Sequence, residues 1–391
     1  MTSFGSVRMK SPTLIHGYNQ QRLKGAYYLD KLFHVVFKLF VDNKKRFPLS
    51  FNLPKILIVQ SHLIGDVVMV TPMLRALRHA YPDSEIVLLA NRFAKDLLKG
   101  LPYINRVVTL KFPWSMYDYS LKNLINMLST IKKLRKEKFD LVIDAQIDMR
   151  NTFLMYLISA KKRLGYDITG GGVFLTDVPE FPVEAVNLLE ARLSLLNYLG
   201  IDTSDKRTEL AIGEESIVWV DSYIKLNNFD KNKIVGIHPG ASTKEKRWRS
   251  ERFARVIDHL AERGYCPVVI EGPDDGKIVG SILSQGKTQP STLKTSLKNV
   301  ATFMSRCRLI ICLDSAAIHI AGAVNTPAVA LYGPRWPEMT KPFNDNIEII
   351  WDESFNCRPC EYGYCKNIGH SCMDAISAET VIRKIDKVLG C

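Results

Sequence analysis

Acidic residues are scarce relative to basic ones in this chain. There are 40 Asp and Glu against 53 Lys and Arg in 391 residues, a formal net charge of +13. Long apolar runs are missing too. None reaches the roughly 18 uncharged residues that a membrane-spanning helix needs. The first residues are polar and lack a hydrophobic stretch followed by a small-residue cleavage site, which argues against a secretory signal and predicts a cytoplasmic protein. No zinc finger or aromatic-rich RNA-binding strand is visible, so nucleic acid is the least favoured anionic partner. No Gly-x-Gly-x-x-Gly follows a strand signal, so a dinucleotide fold of that type has no support.

What is present is the composition of a globular protein, 46% hydrophobic and 24% charged, with length enough for two domains. The basic excess is uneven. Residues 1–54 hold nine Lys or Arg against only Asp30 and Asp42. Such an excess suits acidic lipid or a phosphorylated glycan. Within it, Leu29–Val41 reads as a helix with Lys31, His34 and Lys38 on one face, opposite Leu32, Phe33, Val36, Phe37 and Phe40. Two readings stand: a helix packed on the first domain, or an interfacial helix on an anionic membrane, helped by Lys44, Lys45 and Arg46.

From Lys55 onward, strand and helix signals alternate. Strands are predicted at Lys55–Gln60, Glu85–Ala90, Val107–Leu110 and Leu141–Ala145, with helices at Leu63–Tyr81, Phe93–Gly100 and Leu121–Lys138 between them. A polar stretch, 206–232, reads as an inter-domain region. A second series follows: strands at Lys233–His238, Pro267–Glu271, Leu309–Leu313 and Ala328–Tyr332, with helices at Arg252–Arg263, within Thr295–Arg306 and at Ala316–Ala323. Short apolar runs alternating with helices predict an α/β chain of two doubly wound, Rossmann-like parallel-sheet domains facing across a cleft. The predicted divisions are 1–54, a basic extension; 55–205, a first Rossmann-like domain; 206–232, the connection; 233–375, a second Rossmann-like domain with a Cys-rich loop at 357–372; and 376–391, a C-terminal helix.

In such sheets ligands bind beyond the carboxyl ends of the strands, and the chemically suggestive segments fall there. After the first strand comes Ser61-His62-Leu63-Ile64-Gly65-Asp66. Gly65 permits a tight turn and close approach of a ligand to the backbone. Asp66 suits either a helix N-cap or a general base for a hydroxyl nucleophile. After the strand at 233–238 comes His-Pro-Gly-Ala-Ser, ending at Ser242, then Lys244, Lys246 and Arg247. Small residues followed by cations suit phosphate binding, with a solvent-exposed basic loop as the alternative. Asp314 and Ser315 lie between strand and helix, where they cap the helix or hold a ligand; His319, five residues after Asp314, is a core residue or a ligand contact. Asp274 in Gly-Pro-Asp-Asp marks a plain turn or an acid for ribose hydroxyls.

Three blocks, IGDVVMVTPMLRALRHAYPDSEI, HPGAS with KRW, and LDSAAIHIAGAVNTPAVALYGP, together resemble glycosyltransferase family 9, the ADP-heptose:lipopolysaccharide heptosyltransferases, over about Lys55 to Leu389. The resemblance implies the GT-B fold and no metal or other cofactor in catalysis. It implies inverting transfer of a sugar from a nucleotide-sugar donor to a carbohydrate acceptor. It makes Asp66 the catalytic base and Lys246 the cation that meets the leaving diphosphate. It places Gly65, Ser242, Asp274, Asp314, Ser315, Ala316 and His319 around the nucleotide sugar. Ala316 departs from the family's usual Gly, and its methyl narrows the approach to the helix start. ADP-heptose is the expected donor and a lipopolysaccharide core sugar the expected acceptor, borne on the inner face of the inner membrane, where the chain would sit peripherally. The alternatives are another nucleotide sugar, a protein or capsule acceptor, or a same-fold epimerase or binding protein. The cluster Cys357, Cys360, Cys365 and Cys372 has spacing that admits a structural metal, packed reduced thiols or a disulfide.

Overall fold

The structure, a computed structural model, describes residues 55–116, 118–358, 360, 365 and 371–390. The expected helix Leu29–Val41 and the rest of residues 1–54 lie outside them. Eleven strands among the described residues form two sheets: β1 Lys55–Gln60, β2 Glu85–Ala90, β3 Arg106–Thr109, β4 Leu141–Asp144 and β5 Lys162–Leu164 in the first; β6 Ile234–His238, β7 Cys266–Ile270, β8 Ser291–Leu293, β9 Leu309–Leu313, β10 Ala328–Leu331 and β11 Ile347–Ile350 in the second. Their orders are β3-β2-β1-β4-β5 and β11-β10-β9-β6-β7-β8, with every recorded pair parallel. This is the two-domain, Rossmann-like architecture that the alternation predicts, and it agrees with the GT-B fold that the resemblance implies. The central strands are buried on both faces, as their unbroken apolar runs require.

Each sheet reverses its winding beside its first strand. β1 lies between β2 and β4, and β6 between β7 and β9. The loops leaving these strands therefore diverge and open a crevice at the carboxyl edge. Asp66 follows β1, the His-Pro-Gly loop follows β6, and Asp314 follows β9. One contiguous apolar core runs through both domains, from Ile58 and Met73 past Val67 to Ile318 and Ile310.

The expected helix Leu63–Tyr81 is two helices, Ile64–Val68 and Thr71–Ala80. Pro72 explains the break. It has no N–H for the carbonyl of Val68, and the Thr71 hydroxyl donates to that oxygen instead, at 2.8 Å. The stretch 206–232 is not only a polar connection. It holds the helix Glu214–Leu226, whose Tyr223 meets Phe303 edge-on and donates from its hydroxyl to the Thr292 carbonyl. The connection before it is tied to both domains. The Glu209 N–H donates to Thr71 Oγ1 at 3.1 Å, and the Leu210 N–H to the Ala323 carbonyl at 3.2 Å.

Arg75, 7% exposed, clamps this connection to the first domain. Its guanidinium reaches the Glu209 carboxylate at 2.8 Å and donates to the Arg207 carbonyl at 2.7 Å. Removing a buried, multiply bonded guanidinium leaves its acceptors unpaired. Arg75→Ala is expected to lower stability by about 3 kcal/mol, read as a drop in unfolding midpoint; a midpoint equal to the parent's would show that the clamp carries no load.

Candidate active site

Asp66 lies in the first turn of Ile64–Val68, but it caps nothing. The N-cap position is Leu63, which makes no side-chain cap. The carboxylate instead takes a charge-assisted bond from Arg192, Nη2 to Oδ1 at 2.6 Å, on the helix Leu188–Asn197. Arg192 is 1% exposed, and its other amine reaches the Asp66 carbonyl at 3.4 Å. On the more open side, His62 Nδ1 stands 3.8 Å from Asp66 Oδ2. Burial pushes the Asp66 carboxyl up, but the charges of Arg192 and His62 and the Arg192 hydrogen bond together outweigh it and hold the group below its ordinary value.

Gly65 has a different reason from the one expected. It sits in right-handed helix, not in a turn that needs glycine. Its missing side chain admits His319 from the other domain: a Cβ at Gly65 would lie 2.6 Å from His319 Cδ2. The short helix Ile64–Val68 and the helix Ala316–Ala323 thus meet face to face. His319 lies between two carboxylates, Asp314 and Asp66, yet burial wins and pushes it down to about 4. It is a neutral imidazole at neutral pH, and its buried Nδ1 has no hydrogen-bond partner among the described residues.

Lys246 belongs to a 3-10 turn, Lys244–Lys246, that ends just before Trp248. Trp248 is 2% exposed, packs edge-on against Phe253 and donates its indole N–H to the Ile376 carbonyl at 2.8 Å. That anchor fixes the loop so that Lys246 Nζ meets Asp314 Oδ2 at 2.6 Å. Ser315 caps the helix Ala316–Ala323 by accepting from the Ala317 N–H, and Ala316 is its first residue. Ser242 is exposed at the loop tip.

Asp274 is turned to solvent, whereas Asp275 is buried. The Asp275 carboxylate accepts from the Gly272 N–H at 3.0 Å, lies 3.8 Å from His238 Nε2, and occupies the space a side chain at Gly240 would need. The acid facing the His-Pro-Gly loop is thus the neighbour of the one expected. The structure brings together Gly65, Asp66, Lys246, Asp314, Ser315, Ala316 and His319 around the domain contact. Arg192, His62, His238 and Asp275 were not singled out from sequence. Arg192 lies 126 residues from Asp66 in an all-round apolar helix, so no local signal marks it.

The Cys-rich loop is close-set. Burial, together with the nearby thiols of Cys357, Cys372 and Cys365, pushes Cys360 up to about 11. Among the described residues no group of three or more His, Cys, Asp or Glu is placed to hold a metal ion, so the structural-metal reading of this loop gains no support.

Gly65→Ala is expected to cost about 1–3 kcal/mol through forced contact with the His319 ring, and His319→Ala in the same chain should recover most of it. A double-mutant cycle with no coupling would dissolve the proposed contact between the domains.

The sequence pattern of glycosyltransferase family 9 (heptosyltransferase) matches residues 127–368. Lipopolysaccharide heptosyltransferase 3 of Escherichia coli K12 is 29% identical over 334 residues, covering 83% of this chain and 95% of that protein. The lipopolysaccharide core heptosyltransferase OpsX of Haemophilus influenzae is 25% identical, covering 87% and 99%. Among solved structures, a family 9 glycosyl transferase from Veillonella parvula superposes with a TM-score of 0.75 at 25% identity, covering 87% of this chain and 98% of that one. E. coli ADP-heptose heptosyltransferase II superposes at 0.68 and 21% identity, covering 86% and 98%, a likeness of fold. With its family pattern matched over more than half its length and its two sheets arranged as in those enzymes, the chain belongs to glycosyltransferase family 9.

Proposed function

We propose that this glycosyltransferase moves heptose from ADP-heptose to a sugar of a lipopolysaccharide core, with inversion at the anomeric carbon. The observation that carries this reading is the meeting, at one domain contact, of an ionised, half-buried carboxylate, Asp66, with a half-buried lysine, Lys246, already seated on an acid. The similar proteins of Escherichia coli and Haemophilus influenzae are lipopolysaccharide heptosyltransferases, which points to the sugar and the acceptor class.

In this reading the acceptor hydroxyl gives its proton to Asp66 as its oxygen bonds to the anomeric carbon. The bond from that carbon to the diphosphate breaks, and the leaving group departs with both electrons. Lys246 turns from Asp314 to the diphosphate oxygens, together with backbone N–H groups of the loop at Gly240–Ser242. Asp274, at the rim, and the buried Asp275 lie on the nucleoside side. His319, neutral, holds the two halves of the site in register without adding charge. Every group used is the protein's own. Ala316 sets the limit on donor sugar size at the helix start. Residues 1–54 would hold the chain at the membrane that carries the acceptor.

The primary test is release of ADP from ADP-heptose with and without core-oligosaccharide acceptors; turnover with a UDP- or GDP-sugar alone would refute the donor assignment. Asp66→Ala is expected to lower kcat by about 10²- to 10⁴-fold and Lys246→Ala by about 10²- to 10³-fold. Full activity in Asp66→Ala would remove it as the base. The pH profile gives a finer check. A base works only when ionised, and Asp66 is held below its usual value, so its loss of activity lies in strongly acid solution. In Arg192→Met burial is unopposed by that cation, and the acid limb of kcat/KM should move up by a unit or more, on the order of one pKa shift; an unmoved limb would separate Arg192 from the base.

A further inference from the structure

The helix Leu121–Lys136 of the first domain seats Asn123, Ile131 and Leu134 on the protein and leaves a second apolar stripe in the open. Leu121, Ile125 and Leu128, at spacings of four and three, are 73%, 56% and 57% exposed. The same helix carries Lys122, Lys132, Lys133, Arg135 and Lys136, all exposed, and not one acid. The two acids that flank it are already matched: Asp118 by Lys111, and Glu137 by Lys55 and Arg106. Behind the stripe, Met127 and Ile131 line an apolar cavity of about 270 Å³ together with Phe153, Leu157 and Trp114. The Trp114 indole in turn reaches Ser61 Oγ at 3.5 Å, in the loop that leads to Asp66. The helix that bears the exposed stripe thus also lines, on another face, a cavity whose Trp114 touches the loop before Asp66.

We infer that this helix lies against an anionic lipid surface, with Leu121, Ile125 and Leu128 entering the headgroup boundary and the lysines lying among the lipid phosphates. Charge selects this occupant. A second copy of the chain meeting about a two-fold axis would set two acid-free basic helices face to face. The segment 29–46 of this chain is itself basic and offers no compensation. The inference rests on the lipid-borne acceptor proposed above for its purpose, but its test reads binding, not turnover. A failed transfer assay and a failed binding assay are thus separate results.

The test is co-sedimentation of the full chain with phosphatidylcholine vesicles, with and without phosphatidylglycerol. Wild type should bind the anionic vesicles, less so at high salt, and not the neutral ones. L121S/I125S/L128S and, separately, K132E/K136E should each bind roughly ten-fold more weakly, with unfolding midpoints and ADP release toward a soluble core oligosaccharide unchanged. Both variants binding as wild type does, or wild type binding no anionic vesicle, would overturn the inference. So would self-association of wild type that the triple serine variant abolishes, since that would assign the stripe to a second copy.

Discussion

Two helices touch here with nothing between them but an imidazole. Because Gly65 has no side chain, His319 packs directly on the backbone of the opposite domain. The carboxylate of Asp66 and the Lys246–Asp314 pair come from separate domains, and this contact brings them to one place. A ring that burial keeps neutral is suited to the position. A cation there would pair with Asp66 or Asp314 and take one of them out of service.

The remaining charges are each held by a partner. Asp66 lies against Arg192, which is buried and whose other side-chain hydrogen bond among the described residues goes to Gln146. Lys246 lies against Asp314. Breaking a buried pair by deleting one member is far more costly than exchanging one anion for another. The ammonium of Lys246 is thus held at the domain contact by Asp314, an acid that an anionic ligand could replace.

Much of this was legible in sequence because the relevant signals are local. Buried parallel strands write themselves as short apolar runs, and their carboxyl-end loops contained Asp66, the His-Pro-Gly loop and Asp314. The failures have physical causes as well. β5, β8 and β11 are edge strands of three or four residues, too short to carry a period. Leu188–Asn197 is buried almost all round, so no amphipathic stripe marks it and Arg192 looks like any surface arginine. Asp274 and Asp275 are adjacent identical residues in a turn. Only the folded backbone decides that the second faces inward, where its carboxylate fills the gap left by Gly240 and Gly272. The contact at Gly65 has no local signal, because the ring that needs its space arrives from 254 residues later in the chain, at His319.

The Trp248 anchor carries a consequence for how the enzyme comes into being. Its hydrogen bond ends on Ile376, 128 residues downstream. Arg252 donates to the Asp374 carbonyl in the same segment, and Arg249 pairs with the Asp374 side chain. A nascent chain on the ribosome can complete the first sheet and its carboxylate long before residues 371–389 emerge. Until they do, the Trp248 indole N–H, two residues beyond Lys246, lacks its acceptor. The loop of Lys246 is therefore fastened late, and a translation product truncated before residue 371 would keep the first sheet and Asp66 while Lys246 lacks the Trp248 anchor.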